Sequence, residues 1–210
     1  LDGTLADSMG HWAEIDRIYL ARFGIEAPEN LSQVLGGRGI GEVADYFKEE
    51  FGITDSKEQM LRDWEELSIA RYANDTALKP GVLPFLEELK RRRIKMAIAT
   101  SNARPMVDAV LEAHGIDRYF DVIISGTEVE KGKPHPEIYL KAAAESGVMP
   151  ERCAVFEDLP EGIQAGLSAG MRVYAVEDEF SAPYHEEKKQ MAHAMIQDYR
   201  ELWQTKEETR

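Results

Sequence analysis

The stretch Ala154-Val155-Phe156-Glu157-Asp158-Leu159-Pro160-Glu161 joins a short apolar run to two adjacent carboxylates and then to a helix start marked by proline. Cys153 to Phe156 reads as a buried strand, and Pro160 suits the first turn of the following helix. The same alternation extends in both directions. Ile94 to Ala99, Val122 to Ile124 and Val173 to Val176 are further apolar or β-branched runs. Between them Pro105 to Ala113, Pro136 to Ser146 and Glu161 to Ala169 carry helical spacing, each closed by a glycine (Gly115, Gly147, Gly170) suited to a left-handed cap. Strands alternating with crossover helices predict an α/β fold with a doubly wound parallel sheet, whose ligands bind at the carboxyl ends of the strands.

The region from Ser8 to Asn74 breaks this pattern. Trp12 to Phe23, Val43 to Phe51 and Lys57 to Tyr72 each show an apolar stripe at helical spacing, with no convincing strand among them. An inserted α-helical cap is therefore expected at residues 8–75, leaving residues 1–7 and 76–210 as the α/β core. Leu5 to Asp7 and Asp75 to Pro80 are the expected hinges, because polar residues and Pro80-Gly81 interrupt the periodicity. The charged end, Lys206 to Arg210, reads as a frayed tail.

Thirty-nine acidic against 25 basic residues give a net charge of −14 and a pI near 4.8. Such a surface repels nucleic-acid backbones and anionic lipid, so neither nucleic acid nor a membrane is expected as a partner. No apolar run approaches the roughly 18 residues of a spanning helix, and the expectation is a soluble protein. Cys153 is the single cysteine; it can form no internal disulfide, reads as a small core residue and fits a cytoplasmic setting. A monomer is the default, since cap and core account for the apolar stripes.

Four short motifs can carry chemistry. Leu1-Asp2-Gly3-Thr4-Leu5 is by itself a common turn signal. Thr100-Ser101-Asn102 precedes a helix with Pro105 in its first turn; its side chains either cap that helix or, with exposed N–H groups, bind an anion, and the two uses are compatible. In Lys131-Gly132-Lys133-Pro134-His135-Pro136 the prolines fix Lys133 in an extended segment outside a helix, where it can neutralise a phosphate and neighbouring carboxylates. Glu157-Asp158 admits a capping-box reading through Glu161. The metal reading is preferred, because two adjacent carboxylates at a strand end suit Mg²⁺, which favours oxygen ligands. The loop Gly36-Gly37-Arg38-Gly39-Ile40-Gly41 lies between helices and follows no strand, so it is not a dinucleotide fingerprint. It either brings Arg38 and backbone to a substrate or forms a helix–helix turn with a solvated arginine.

A DGT turn, a strand-ending Thr-Ser-Asn, a Lys-Pro and a strand-ending Glu-Asp, in this order and on one face of the sheet, resemble the haloacid dehalogenase superfamily. The resemblance is specifically to its branch with a helical cap after the first motif, which includes β-phosphoglucomutases and small sugar-phosphate or phosphoglycolate phosphatases. The resemblance spans almost the whole chain and implies a Rossmann-like core. It also implies a Mg²⁺-dependent phosphatase that hydrolyses a small phosphomonoester, such as a sugar phosphate, through an aspartyl-phosphate intermediate. The family's first motif reads Asp-x-Asp-Gly-Thr, with Leu1 here at the x position. The nucleophilic Asp is accordingly expected immediately before Leu1, at the end of an apolar strand.

By the same resemblance Asp2 is the general acid/base, and its carbonyl binds metal. Thr100, with the backbone of Ser101 and Asn102, holds the phosphoryl group, Lys133 balances charge, and Asp158 binds Mg²⁺ with Glu157 assisting. Arg38 is a candidate substrate contact. A mutase is the alternative within the family, but its histidine on the first cap helix is not matched: His11 stands one position early and Trp12 takes the place. Ile40 likewise falls where the mutase arginine is expected, so a phosphatase is preferred. A non-catalytic member that binds a phosphorylated ligand is the alternative from another class.

Overall fold

A computed structural model of the chain describes residues 1–35 and 40–204. The chain divides into two compact units, one of residues Leu1–Ser8 and Thr76–Arg210, the other of Met9–Asp75. The second carries helices and no strand among its described residues: α1 (His11–Ala21), α2 (Leu31–Leu35), α3 (Ile40–Phe51) and α4 (Lys57–Asn74). Apolar positions at helical spacing explain its core, where Ile15, Tyr19 and Leu20 of α1 meet Phe47 of α3 and Met60 and Trp64 of α4. The rings of Tyr19, Phe47 and Trp64 lie 5.2 to 6.2 Å apart. Helix α4 starts where the Ser56 hydroxyl accepts the Gln59 N–H at 3.2 Å, which supplies one of the partners a helix start lacks. Arg38 lies outside the described residues.

The first unit is α/β. Its elements run β1 (Ala6–Asp7), β2 (Ala77–Leu78), α5 (Val82–Arg91), β3 (Ala97–Ala99), α6 (Arg104–His114), β4 (Val122–Ile124), α7 (Glu137–Ser146), β5 (Ala154–Glu157), α8 (Pro160–Ser168), β6 (Arg172–Val176), α9 (His185–Met191), β7 (Ala194–Ile196) and α10 (Glu201–Gln204). Strands β1 and β2 pair antiparallel where the chain leaves and re-enters this unit. The parallel strands form two ladders, β3–β4 and β5–β6–β7, with Ile98 opposite Ile123 and Val155 opposite Val173. One apolar cluster serves both ladders: Ile124 of β4 and Val155 of β5 belong to it with Ile138, Ala142 and Ala143 of α7. The left-handed glycines Gly115 and Gly147 close α6 and α7.

Two local expectations give way. The strand read from Ile94 starts only at Ala97, because the Ile94 N–H still donates to Leu89 at 3.0 Å in the closing turn of α5, and Ile94 is exposed. Cys153 belongs to the turn before β5 and is half-buried, its N–H bonded to Pro150.

Candidate active site

The site is built where residues 1–4 run between the ends of β3 and β5. Backbone N–H groups of Thr4, Leu5 and Ala6 all donate to the Leu1 carbonyl, and Gly3 takes φ 63°, a conformation that favours glycine. This tight turn presents Asp2 and Thr4 in different directions. Asp2 accepts from the buried Ser8 hydroxyl at 2.6 Å and from the Asn102 amide at 3.4 Å. Thr4 points the other way, and its hydroxyl donates to Asp158 Oδ1 at 2.9 Å.

Strand β3 delivers Thr100, which is buried and whose N–H donates to Ile124. Its Oγ1 accepts the Asn102 N–H at 3.2 Å, and Asn102 Oδ1 in turn accepts the Ala103 N–H at 2.9 Å. The segment folds over itself ahead of α6, whose N-cap, Ala103, has no side-chain cap bond. Ser101 is exposed and lies against Gly126, where a Cβ would come within 2.4 Å of the Ser101 carbonyl oxygen.

Lys133 reaches the same place from the loop before α7. Glu137, in the first turn of α7, accepts the N–H groups of Glu130 and Lys131 and so braces the loop. The Lys133 ammonium donates to the Ala99 carbonyl at 3.3 Å and to Glu157 Oε1, and its side chain is 13% exposed. Tyr139 also donates to Glu157 Oε1, while Lys133 lies 5.2 Å from the Tyr139 ring centroid. Burial would raise the Glu157 carboxyl, but the Lys133 charge beside it holds it below the usual range.

Asp158 is placed differently from its neighbour. It does not cap α8, whose N-cap is Leu159 with no side-chain cap bond, so the capping-box reading falls. Oδ1 is held by Thr4, whereas Oδ2 is buried and has no protein partner. Burial, then the Glu157 charge, pushes the Asp158 carboxyl up to about 6. A buried, unsatisfied carboxylate oxygen is costly without a further partner.

The structure thus links Asp2, Thr100 and Asn102 in one chain of contacts, and Lys133 and Glu157 in a second beside it. Thr4 ties Asp158 to the first turn. Sequence reasoning did not single out Thr4, Ser8 or Tyr139. Tyr139 and Lys133 flank the start of one helix, which is the one local signal available, and the other two acquire partners only through the fold. Among the described residues no group of three or more His, Cys, Asp or Glu side chains is set to hold a metal by itself, and no helix is long and apolar enough to cross a membrane.

Comparison with known proteins places the chain in a family. Residues 1–176 match the haloacid dehalogenase-like hydrolase family. A phosphorylated carbohydrates phosphatase of Thermotoga maritima is 34% identical over 177 residues, 84% of this chain and 82% of that protein. Hexitol phosphatase A of Escherichia coli is 30% identical over 94% of this chain and 89% of its own. Among solved structures, a putative β-phosphoglucomutase from Thermotoga maritima superposes with TM-score 0.80 at 31% identity, covering 93% of this chain and 91% of that one. The phosphate complex of CbbY from Rhodobacter sphaeroides gives 0.81 at 28%, covering 97% and 93%. The chain belongs to the haloacid dehalogenase-like hydrolases, among their phosphohydrolases.

Proposed function

We propose that the protein is a Mg²⁺-dependent phosphatase acting on a small phosphomonoester, a sugar phosphate or similar metabolite, through an aspartyl-phosphate intermediate. The observation that carries this reading is the meeting of Asp2, Thr100, Lys133 and Asp158 at the ends of β3 and β5, with Asp158 Oδ2 buried and unpartnered. An oxygen so placed suits a hard cation. Asp158 and the Asp2 main-chain carbonyl would hold Mg²⁺, with Glu157 assisting. Once bound, the ion would neutralise phosphate oxygens and offset the charge of the carboxylates.

The residues of the chain divide the remaining work. The nucleophile is the Asp expected immediately before Leu1, and its carboxylate attacks phosphorus in line with the leaving oxygen. Asp2, oriented by Ser8 and Asn102, gives its proton to the leaving oxygen and then takes one from the water that hydrolyses the acyl phosphate. Thr100, with the backbone at Ser101 and Asn102, receives the transferring phosphoryl group. Lys133 balances the charge between phosphoryl group and nucleophile, and Glu157 with Tyr139 holds it there. The helical cap expected at residues 8–75 is read as the part that selects the substrate, with Arg38 a candidate contact. The named sugar- and hexitol-phosphate activities of the relatives support this substrate class.

The phosphatase reading is preferred to a mutase. His11 is buried with its ring set edge-on to Tyr72 at 5.4 Å, inside the helical unit, while Trp12 takes the mutase histidine's position and is 38% exposed. The test is phosphate release from p-nitrophenyl phosphate and a panel of sugar phosphates, with Mg²⁺ or with chelator. Hydrolysis that needs Mg²⁺ and is lost in Asp158→Ala is expected. Full activity in that variant, or none in the wild-type protein with Mg²⁺, overturns the reading.

A further inference from the structure

We infer that Lys79 is a positioning residue for the reaction, an internal strut that orients the turn carrying Asp2, and that Asp178 anchors it. The inference rests on the reading of Asp2 as the acid/base. Lys79 follows β2 directly, and its N–H donates to Leu5 at 2.9 Å, which sets the backbone beside the first turn. All three donors of its ammonium are engaged: the Gly3 carbonyl at 2.9 Å, the Glu177 carbonyl at 2.7 Å and Asp178 Oδ2 at 2.7 Å. The pair is enclosed, with side chains 10% and 5% exposed.

The far end of the strut is itself fixed. Asp178 Oδ1 accepts the Phe180 N–H at 3.0 Å, so both carboxylate oxygens are satisfied. The buried Lys188 donates to the Val176 carbonyl at 3.1 Å and to Ser181 Oγ at 2.7 Å, and thereby pins the turn after β6 from its other side. The near end is the carbonyl of the residue directly after Asp2. A side-chain ammonium locked on that carbonyl fixes the plane of the Gly3–Thr4 peptide. That plane governs where Asp2 points on one side and Thr4, which holds Asp158, on the other. Lys79 touches no reacting atom in this scheme; its effect passes through the turn.

A lysine that only held the fold together would change the amount of folded protein and leave each folded molecule as fast as before. The positioning role instead lowers kcat. In the complete natural protein, Lys79→Met is expected to cut kcat for p-nitrophenyl phosphate tenfold or more, with KM within about threefold of wild type. Because Lys79→Met leaves Asp178 buried and unpaired, Lys79→Met/Asp178→Asn is measured beside it. The double variant should recover melting temperature while kcat stays low. Wild-type kcat in a folded Lys79→Met or in the double variant overturns the inference. Asp2→Asn separates it from the reading beneath: if Asp2→Asn keeps full activity that reading fails, whereas an inactive Asp2→Asn beside a fully active Lys79 variant sinks the strut alone.

Discussion

Thr4 and Asp158, 154 positions apart, meet through a hydroxyl-to-carboxylate bond of 2.9 Å. This bond occupies one oxygen of Asp158 and leaves the other unpartnered. A hydrogen bond to a charged group contributes about 1.5–3 kcal/mol, and valine removes it at nearly constant shape. Thr4→Val is expected to lose about tenfold or more in Mg²⁺-dependent phosphate release, whereas Thr4→Ser retains most of it. Titration of activity against Mg²⁺ for the two variants checks this, and equal activity in both refutes it.

The enclosed pair of Lys133 and Glu157 lets stability and activity be separated. Removing one member of a buried pair leaves the other uncompensated, at a cost of about 3–5 kcal/mol. Lys133→Met should therefore unfold at clearly lower urea concentration than wild type. Lys133→Met/Glu157→Gln should recover most of that loss, yet phosphate release in both stays down by about 100-fold or more, as for loss of a charge-stabilising group. Recovery of activity along with stability would contradict the role given to Lys133.

Gly162, in the first turn of α8, leaves the space that the Glu157 carboxylate fills. A Cβ there would stand 2.2 Å from Glu157 Cδ and Oε2. Gly162→Ala is expected to push the carboxylate away from Lys133 and to cost about 1–3 kcal/mol, as overpacking does. Activity per folded molecule should fall as well. Gly10→Ala, with nothing within 4 Å of its ideal Cβ, is the control for the added methyl group. A thermal melt and a rate measured on each variant decide the matter.

Asp16 on α1 predicts a pH dependence of stability. Burial pushes its carboxyl up to about 7 from an ordinary 3.8. The folded state thus holds a proton that the unfolded chain has released, so between these values stability falls as pH rises, by at most about 1.4 kcal/mol per pH unit from this group. Below 3.8 the burial cost is absent, and above about 7 the loss is complete. Asp16→Asn should melt higher than wild type at pH 8, and the gap should narrow at pH 5. A gap that does not change with pH would show that Asp16 does not titrate in this range.

The α/β class was legible because strand and helix periods alternate cleanly after Pro80, and the helical unit because its stripes repeat without strand signals. Four of the residues that meet here were singled out by local signals: Thr100 and Asp158 by following apolar runs, Lys133 by its flanking prolines, and Asp2 by the Asp-Gly-Thr turn. Apart from the nearness of Tyr139 to Lys133 at the start of α7, the sequence carries no sign of the partners that orient them. Thr4 in a DGT turn looks like turn chemistry until Asp158 is brought against it, and Tyr139 looks like an apolar-face residue of α7. Glu157 and Asp158 appear equivalent as a pair, yet alternation along β5 and the start of α8 send them to different partners, Lys133 and Thr4. Lys79 reads as one more polar hinge residue, since nothing local shows that its ammonium is enclosed.

Lys133 touches the last carbonyl of β3 and the last side chain of β5, members of ladders that share no strand hydrogen bond among the described residues. Ionic and polar contacts at the site thus act as a clasp between two halves of the sheet architecture, and a ligand held there would close it further. Occupancy then becomes a matter of cooperativity within the fold. Amide protons in β4 and β7, remote from any reacting atom, should exchange more slowly together once phosphate is bound.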